Sequence, residues 1–496
     1  MGEVLRIEVS DRVYLYGCTA GTLAELKSLF TYVDPRDGFS QIPTWRESSF
    51  SAERSAEKLL SFPRGGFRRV YDVIKARGLA LEVKDLRESG DFSGTGFTSL
   101  PPHNVKLWAL QERAVEALLA RQNGLLRAPT GSGKTTIALA AIARANVPAL
   151  VVVQSAGLRD QWIERVVKEM GIPRDRIGMI GDGIETIGPI TIGMNQTIVR
   201  RMQENTPNAQ LWKKTFGLVA FDEVQGAAAP TVQASIDPFP AKYRIGVSAD
   251  PTRADAMEFL IYDLFGKPVA DIKMHDVLMA GSVLDVEVRI IPTRFYAPWY
   301  RDMVSRGGMV AKLAFNKLLA TMTSNEGRNQ LIVDAITYEV QQEHAQAIVI
   351  SHRREHAMRL DALLTQRGVK SGTMLGGKTG KDTFKATGDG IRNGVIDVAI
   401  GTIQAIGQGI DLPSVEAGFV VTPLANNRQK WQQARGRICR ISKGKKRAVM
   451  YYLHDVTVYG KKAVENLVDW NSKVVAWVDG GWVSADRYIE WIARNR

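Results

Sequence analysis

The apolar positions change period along the chain, and the changes divide it into parts. Near the start, residues 6–9 and 12–16 alternate apolar and polar, as half-buried strands do, and Gly17 ends the second run. Thr22 and Glu25 have the spacing of a capping box, opening a helix with Leu23, Leu26, Leu29 and Phe30 apolar. Phe67, Val70, Tyr71 and Ile74 predict a second amphipathic helix, and residues 79–83 a further strand. Residues 89–103 are rich in Gly, Ser, Thr and Pro and predict a linker. Beyond it the pattern becomes strand–helix repeatedly. Residues 150–153 are a continuous apolar run, as in a parallel strand buried on both faces. The helix that follows places Leu158, Trp162, Val166 and Met170 on one side. Residues 216–221 and 244–247 are further buried strands, and a second series follows at 347–350, 398–400, 418–421 and 449–453. Residues 286–325 are mixed, with Pro292, Pro298, Gly307, Gly308, Trp299 and Tyr300. The expected class is α/β, two tandem parallel-sheet domains behind a small α+β domain. The expected boundaries are 1–95 for the small domain, 96–104 for the linker and 105–285 for the first α/β domain. A connecting region at 286–325, the second α/β domain at 326–470 and a C-terminal tail at 471–496 complete the chain.

Composition narrows the class. No apolar run approaches ~18 residues, so no membrane span is expected. Glu3, Arg6 and Glu8 interrupt any basic-then-apolar leader. Cys18 and Cys439 alone can build neither a disulfide framework nor a zinc site, which fits a reducing cytoplasm, a host's if the chain is phage-encoded. The net charge of +13 points to a polyanionic partner. Its distribution is uneven. Residues 1–100 hold 14 basic and 14 acidic side chains, whereas residues 425–470 hold 11 basic and 3 acidic, or +8 of the total. Lys443, Lys445, Lys446 and Arg447 are the densest part, either a solvated loop or an edge that tracks phosphates.

The string Ala128-Pro129-Thr130-Gly131-Ser132-Gly133-Lys134-Thr135 leads directly into a helical pattern at Thr136. Backbone N–H groups of such a loop cradle phosphates, and the helix directs its positive end at them. Lys134 is expected to reach the β- and γ-phosphates of ATP, with Thr135 on Mg²⁺. Thr130, Gly131, Ser132, Gly133 and Thr136 complete the nucleotide contacts. The strict pattern has Gly where this chain has Ala128. Asp222 and Glu223 follow the apolar strand at 216–221, 88 residues after Lys134. Asp222 is expected to hold Mg²⁺ through water, and Glu223 to orient and deprotonate the attacking water.

With these residues in order, the chain resembles superfamily 2 helicases and translocases over nearly all of residues 105–455. Leu107, Trp108 and Gln111 resemble the family's adenine-recognition element. Residues 153–158 with Gln161 and Trp162 resemble its first strand-contacting motif, and residues 191–196, ending in Gln196, the next. Ser248-Ala249-Asp250-Pro251-Thr252-Arg253 resembles its coupling motif, with Asp250 in place of the usual Thr. Asn325 with Arg328 and Asn329 resembles the start of the second motor domain. Gly401-Thr402 and residues 408–413, including Asp411, resemble the motif that contacts both nucleic-acid backbone and nucleotide. Gln433, Gly436, Arg437 and Arg440 resemble the arginine-finger motif, since a guanidinium can neutralise charge on the transferring phosphoryl group. Within the superfamily, the resemblance is to UvsW-type phage recombination helicases and more loosely to XPB-type repair helicases. The Trp-Asp-Gly turn of the UvsW-type N-terminal module is absent; Thr44-Trp45-Arg46-Glu47 stands nearby. The resemblance implies two RecA-like domains, ATP in the cleft between them, and single-stranded or branched DNA held by Gln161, Gln196, Arg253, Thr402 and the 443–447 cluster. RNA remains possible as the polymer, and protein partners are unspecified. It implies a helicase or translocase of recombination or replication intermediates. An RNA helicase, a double-strand translocase of a restriction complex and an ATP-gated clamp are the alternatives. The module at 1–95 is expected to bind DNA or dock a protein, with Arg64, Arg68, Arg69, Lys75 and Arg77 as a basic face.

Overall fold

Val4–Val9 and Val13–Tyr16 pair antiparallel, as their alternation predicts. The computed structural model describes residues 4–33, 45–47, 50–54, 57–225, 229–250, 258–375, 381–402, 405, 412–424 and 427–495. The chain divides into two units, Met1–Asp276 and Val277–Arg496.

In the first unit, a five-stranded sheet runs in the order Phe50–Arg54, Glu57–Phe62, Val13–Tyr16, Val4–Val9, Ala80–Asp85. Leu5, Ile7, Leu15, Leu26, Phe30, Phe62, Val70 and Ile74 are buried between it and its two helices. The first helix, Ala20–Ser28, is capped by Thr19, whose hydroxyl accepts from the Thr22 N–H at 3.3 Å. The cap thus falls three residues before the predicted Thr22–Glu25 box, and Thr22 is buried in the first turn.

The predicted linker does not hang free. The Glu88 N–H donates to the Pro240 carbonyl, and the Lys242 N–H to that of Glu88, each at 2.7 Å. The Asp91 N–H donates to the Thr215 carbonyl at 3.0 Å, and the Asn104 N–H to that of Glu169 at 2.9 Å. Residues 86–104 are therefore laid along the α/β part of this unit. The small domain is fastened there as well. Arg64 is 4% exposed, and its guanidinium donates to the carbonyls of Ala241 (2.6 Å) and Lys242 (2.9 Å). Arg12 pairs with Asp237, and Arg69 and Tyr32 both bond to Asp263. Arg244, 1% exposed, donates to the Asp11 carbonyl at 2.8 Å. At Gly65 a Cβ would meet the Gly266 nitrogen at 2.3 Å, so only glycine lets these backbones touch. Four of the five predicted basic-face residues have partners within the chain, two in the seam and two in exposed surface pairs. Arg64 and Arg69 join the seam, while Arg68 pairs with Asp72 and Arg77 with Glu25.

Arg64→Ala should therefore lower the stability of the whole first unit. Each buried carbonyl left without its donor costs roughly 1–3 kcal/mol. Arg68→Ala, which removes an exposed helix-surface pair, should stay within about 0.5 kcal/mol. Urea unfolding of the full chain reads both; equal midpoints would show that the seam contributes nothing.

The first α/β sheet runs Ile184–Thr186, Gly178–Gly181, Ile190–Met194, Ala149–Val153, Leu218–Phe221, Tyr243–Ser248, Asn123–Arg127, Pro268–Asp271. The central strands are parallel, so their C-terminal ends lie on one edge, where α/β sheets place ligands.

In the second unit the sheet runs Ser371–Met374, Val398–Thr402, Ala347–Ser351, Ala417–Val420, Val449–Asp455, Glu287–Thr293, Lys473–Val478, Gly481–Ser484. Two segments depart from the predicted boundaries. Glu287–Thr293, from the expected connecting region, is an inner strand parallel to both neighbours. Pro292 lies beyond the last residue paired with Lys473–Val478, so its missing N–H breaks no ladder there. The expected tail adds two strands, turning at Asp479 and Gly480 with φ of 49° and 85°, and the helix Ala485–Arg494. Among the described residues, no helix is long and apolar enough to cross a membrane.

Candidate nucleotide site and nucleic-acid surfaces

The strand Asn123–Arg127 delivers the loop 128–133 to the sheet edge, and the helix Lys134–Ala145 leaves it. Ala128 keeps a negative φ and its N–H donates to the Ser248 carbonyl at 3.0 Å, so this position does not need glycine. Gly131 and Gly133 do, with φ of 87° and 80°. No side chain caps the helix at Gly133, which leaves its first N–H groups for an anion. The Ser132 hydroxyl is buried and has no hydrogen-bond partner among the described residues. A buried orphan hydroxyl beside uncapped helix N–H groups fits a phosphate oxygen.

Lys134 Nζ lies 3.6 Å from Glu223 Oε1. Asp222 and Glu223 follow the strand Leu218–Phe221, and the Asp222 N–H donates to the Val152 carbonyl at 3.1 Å. Glu223 takes a left-handed backbone, φ 52°, which turns the acidic pair at the strand end. Burial first, then the Glu223 charge, push the Asp222 carboxyl up to about 6, against the opposing Trp162 hydrogen bond and Lys134 charge. Asp222 Oδ1 accepts from the Glu223 N–H at 2.9 Å and Oδ2 from Trp162 Nε1 at 2.8 Å. Asp222 and Thr135, a half-buried hydroxyl at the helix start, are oxygen donors of the kind that could hold Mg²⁺.

Three nearby residues had no predicted role at this site. Gln154 Nε2 donates to the Glu223 carbonyl at 2.7 Å. Gln225 donates to the Glu223 carboxylate and accepts from the Ser248 hydroxyl at 2.6 Å, linking the acidic pair to the end of Tyr243–Ser248. Trp162 is expected on a packing face and in the strand-contacting motif, not against the acidic pair. Gln225 adjoins the acidic pair in sequence; Gln154 and Trp162 fall in the strand-contacting motif, which gives no sign of their contacts to Glu223 and Asp222.

Two predicted nucleotide contacts are engaged elsewhere. Thr136 donates to Glu169 Oε1 at 3.2 Å, a carboxylate also bound by Arg165 (2.7 Å) and His103 (3.0 Å). Its hydroxyl is turned into the core and serves helix packing, which leaves its backbone N–H in the first turn for an anion. Gln111 donates to the Ser132 carbonyl at 2.9 Å and accepts from the Trp108 N–H at 3.2 Å. It braces the phosphate loop, and both polar ends of its amide are occupied. Thr130 and Gly131 are half-buried in the loop.

In the second unit, Gln433 and Arg437 lie half-buried on the helix Arg428–Ile438, with Arg440 just beyond its end. Arg440 bridges to Val283 through the backbone. The helix is set by Asn427, which accepts from the Lys430 N–H at 3.0 Å, and by the buried Trp431, which donates to Asn471 at 3.2 Å. Thr402 ends its strand and accepts from the Ala405 N–H at 3.2 Å. Gln196 is exposed in the first turn of its helix, and Gln161 is half-buried in the second turn of its own. Arg253 and Asp411 lie outside the described residues.

The 443–447 cluster splits. Lys445 is buried and donates to the carbonyls of Ile438 (2.5 Å) and Pro413 (3.3 Å). Arg447 binds Glu339 (2.7 Å), Glu416 (3.4 Å) and Glu343 (3.5 Å). Both expected DNA contacts are therefore structural: the carbonyls at a helix end and three carboxylates each attract a cation. Lys443 and Lys446 remain exposed. Neutralising these two should flatten the log–log salt dependence of single-strand binding by about 1.4, at roughly 0.7 for each phosphate contact. Fluorescence anisotropy at graded salt reads the slope; an unchanged slope would make the pair a solvated loop.

Two parallel α/β sheets in tandem, the first bearing a phosphate loop and an acidic pair at one edge, define a RecA-like motor. Residues 104–253 match the family "Type III restriction enzyme, res subunit", and residues 328–442 the "Helicase conserved C-terminal domain". Together they place the chain in the superfamily 2 helicases. Its relatives include a putative DNA 3'-5' helicase Rad25 of Halobacterium salinarum, 30% identical over 64% of this chain and 49% of that one. The DNA 3'-5' helicase XPB of Mycobacterium tuberculosis is 25% identical over 70% and 61%. A probable helicase of Escherichia phage T5 is 25% identical over 75% of each chain. The chain spans about half the length of the Rad25 relatives it matches. Among solved structures, Saccharomyces cerevisiae Dbp5 bound to RNA and ADP BeF3 superposes with a TM-score of 0.55 at 16% identity, over 79% of this chain and 93% of that one. The structure of phage T4 UvsW spans 95% of this chain and 98% of its own at a TM-score of 0.40 and 16% identity.

Proposed function

We propose that the chain is an ATP-dependent DNA helicase or translocase acting on branched recombination or replication intermediates. The observation that carries this reading is the acidic pair set against Lys134 at the uncapped start of Lys134–Ala145. Asp222 and Thr135 would hold Mg²⁺, which shields phosphate charge and polarises the γ-phosphoryl group when bound. The loop N–H groups and the Ser132 hydroxyl hold phosphate oxygens. Glu223 accepts the proton of the attacking water. Arg437 and Arg440, with Gln433 beside them, come from the second motor domain and neutralise charge on the transferring group. Relatives bearing the name DNA 3'-5' helicase favour DNA and that polarity. Contacts mainly to phosphates make sequence preference low.

The test compares ATPase stimulation by single-stranded DNA, duplex DNA, forked DNA and RNA, with strand displacement in ATP or a non-hydrolysable analogue. Forked or single-stranded DNA should stimulate most, and displacement should require hydrolysis. Strongest stimulation by RNA would make it an RNA helicase. Duplex-stimulated hydrolysis without displacement would make it a double-strand translocase, and tight binding with the analogue but no displacement a clamp.

A further inference from the structure

Two side chains from one short segment grip the acidic pair. Gln154, just beyond the strand Ala149–Val153, donates to the Glu223 carbonyl at 2.7 Å. Trp162, on the helix Ala156–Met170, donates from Nε1 to Asp222 Oδ2 at 2.8 Å. Trp162 is 1% exposed and Asp222 6%. The other oxygen of Asp222 already accepts from the Glu223 N–H. Both oxygens are thus fixed, one by its own turn and one by a rigid, fully packed ring. Core filling accounts for a large apolar ring here, but not for a ring N–H aimed at a carboxylate. The same helix begins at the sheet edge that carries the phosphate loop, and Gln161 is the residue beside Trp162.

We propose that Trp162 is a positioning residue, its indole N–H holding Asp222 in the orientation that takes Mg²⁺, so that Ala156–Met170 is the element through which a bound strand alters Mg²⁺ affinity. This rests on the nucleotide-site reading above and on the expected contact of Gln161 with the strand, and adds to them a residue and a route of coupling. An outer partner of a metal ligand typically governs affinity by 10–100-fold. Coupling between sites is reciprocal: if a strand tightens Mg²⁺, Mg²⁺ tightens the strand by the same factor.

The test uses the full chain, with Trp162→Phe and, as a ring of the same outline, benzothienylalanine at position 162, where sulfur replaces the N–H. Binding of a fluorescent non-hydrolysable ATP analogue is titrated with Mg²⁺, with and without a single-stranded DNA oligonucleotide. Both variants should need roughly 10–100-fold more Mg²⁺ for half-saturation while keeping the wild-type affinity measured in EDTA. The oligonucleotide should lower the Mg²⁺ requirement of wild type and leave that of the variants unmoved. In an Asp222→Asn background, Trp162→Phe should add nothing to the Mg²⁺ requirement. An unchanged Mg²⁺ titration, an equal loss of binding in EDTA, or a further loss on the Asp222→Asn background would reduce Trp162 to packing and overturn the proposal. An oligonucleotide effect that persists in the variants would overturn the route of coupling. Wild type that bound the analogue without any Mg²⁺ dependence would overturn the site reading, and this inference with it.

Discussion

Lys134→Ala should abolish ATP hydrolysis while leaving nucleic-acid binding largely intact. Lys134 is the first residue of its helix and sits 3.6 Å from Glu223, which leaves its ammonium facing both the phosphate cradle and the acidic pair. Removing it withdraws the cation that offsets β- and γ-phosphate charge and leaves Asp222 and Glu223 facing each other without compensation. The predicted nucleic-acid contacts Gln161 and Gln196 belong to other helices, so the strand should still bind. Phosphate release with and without DNA measures the first effect, and anisotropy of a labelled oligonucleotide the second. Normal turnover would remove the ATPase assignment.

The second large effect concerns the arginines of the second motor domain. Arg440→Ala, and in the same way Arg437→Ala, should retain nucleotide binding but lose roughly 10³–10⁵-fold in hydrolysis rate. A guanidinium that meets charge only as it builds on the transferring group stabilises the transition state and not the bound nucleotide. Arg435, two residues before Arg437, supplies the contrast. It is buried, its Nε has no hydrogen-bond partner among the described residues, and burial lowers its pKa. It is held as part of the helix core, whereas Arg437 and Arg440 are half-buried. Single-turnover hydrolysis together with nucleotide titration separates the steps. Loss of nucleotide affinity in either variant would give that arginine a ground-state role instead.

The phosphate loop and acidic pair could be read from the sequence because each is a contiguous string whose residue types are demanded by local geometry. Gly131 and Gly133 need positive φ, and Asp222 and Glu223 end a strand apolar enough to identify. Partners distant in sequence could not be read. Trp162 meets Asp222 across 60 residues; its helical spacing reads as core and its motif as strand contact, and neither points to a carboxylate. Lys445 and Arg447 look like surface charge until the carbonyls of Ile438 and Pro413 and the carboxylates of Glu339, Glu343 and Glu416 are folded against them. Thr136 read as part of the loop because it adjoins Thr135, yet one step around the helix turns its hydroxyl toward Glu169. Pro292 hid an inner strand because proline usually argues against one.

The recognisable helicase region starts at residue 104, but the seam fastened by Arg64 does not respect that boundary. A fragment begun at residue 104 would strip Arg69 and Tyr32 from Asp263, and take from Phe259 the Tyr32 ring stacked on it at 3.8 Å. It would also bare the backbone at 240–242, which bonds to Glu88 and Arg64 in the whole chain. An unpaired backbone edge and a bared aromatic ring each invite other copies to pair there. The segment that ancestry defines is thus shorter than the segment that packs together, and a motor fragment that keeps this seam closed has to include the small domain.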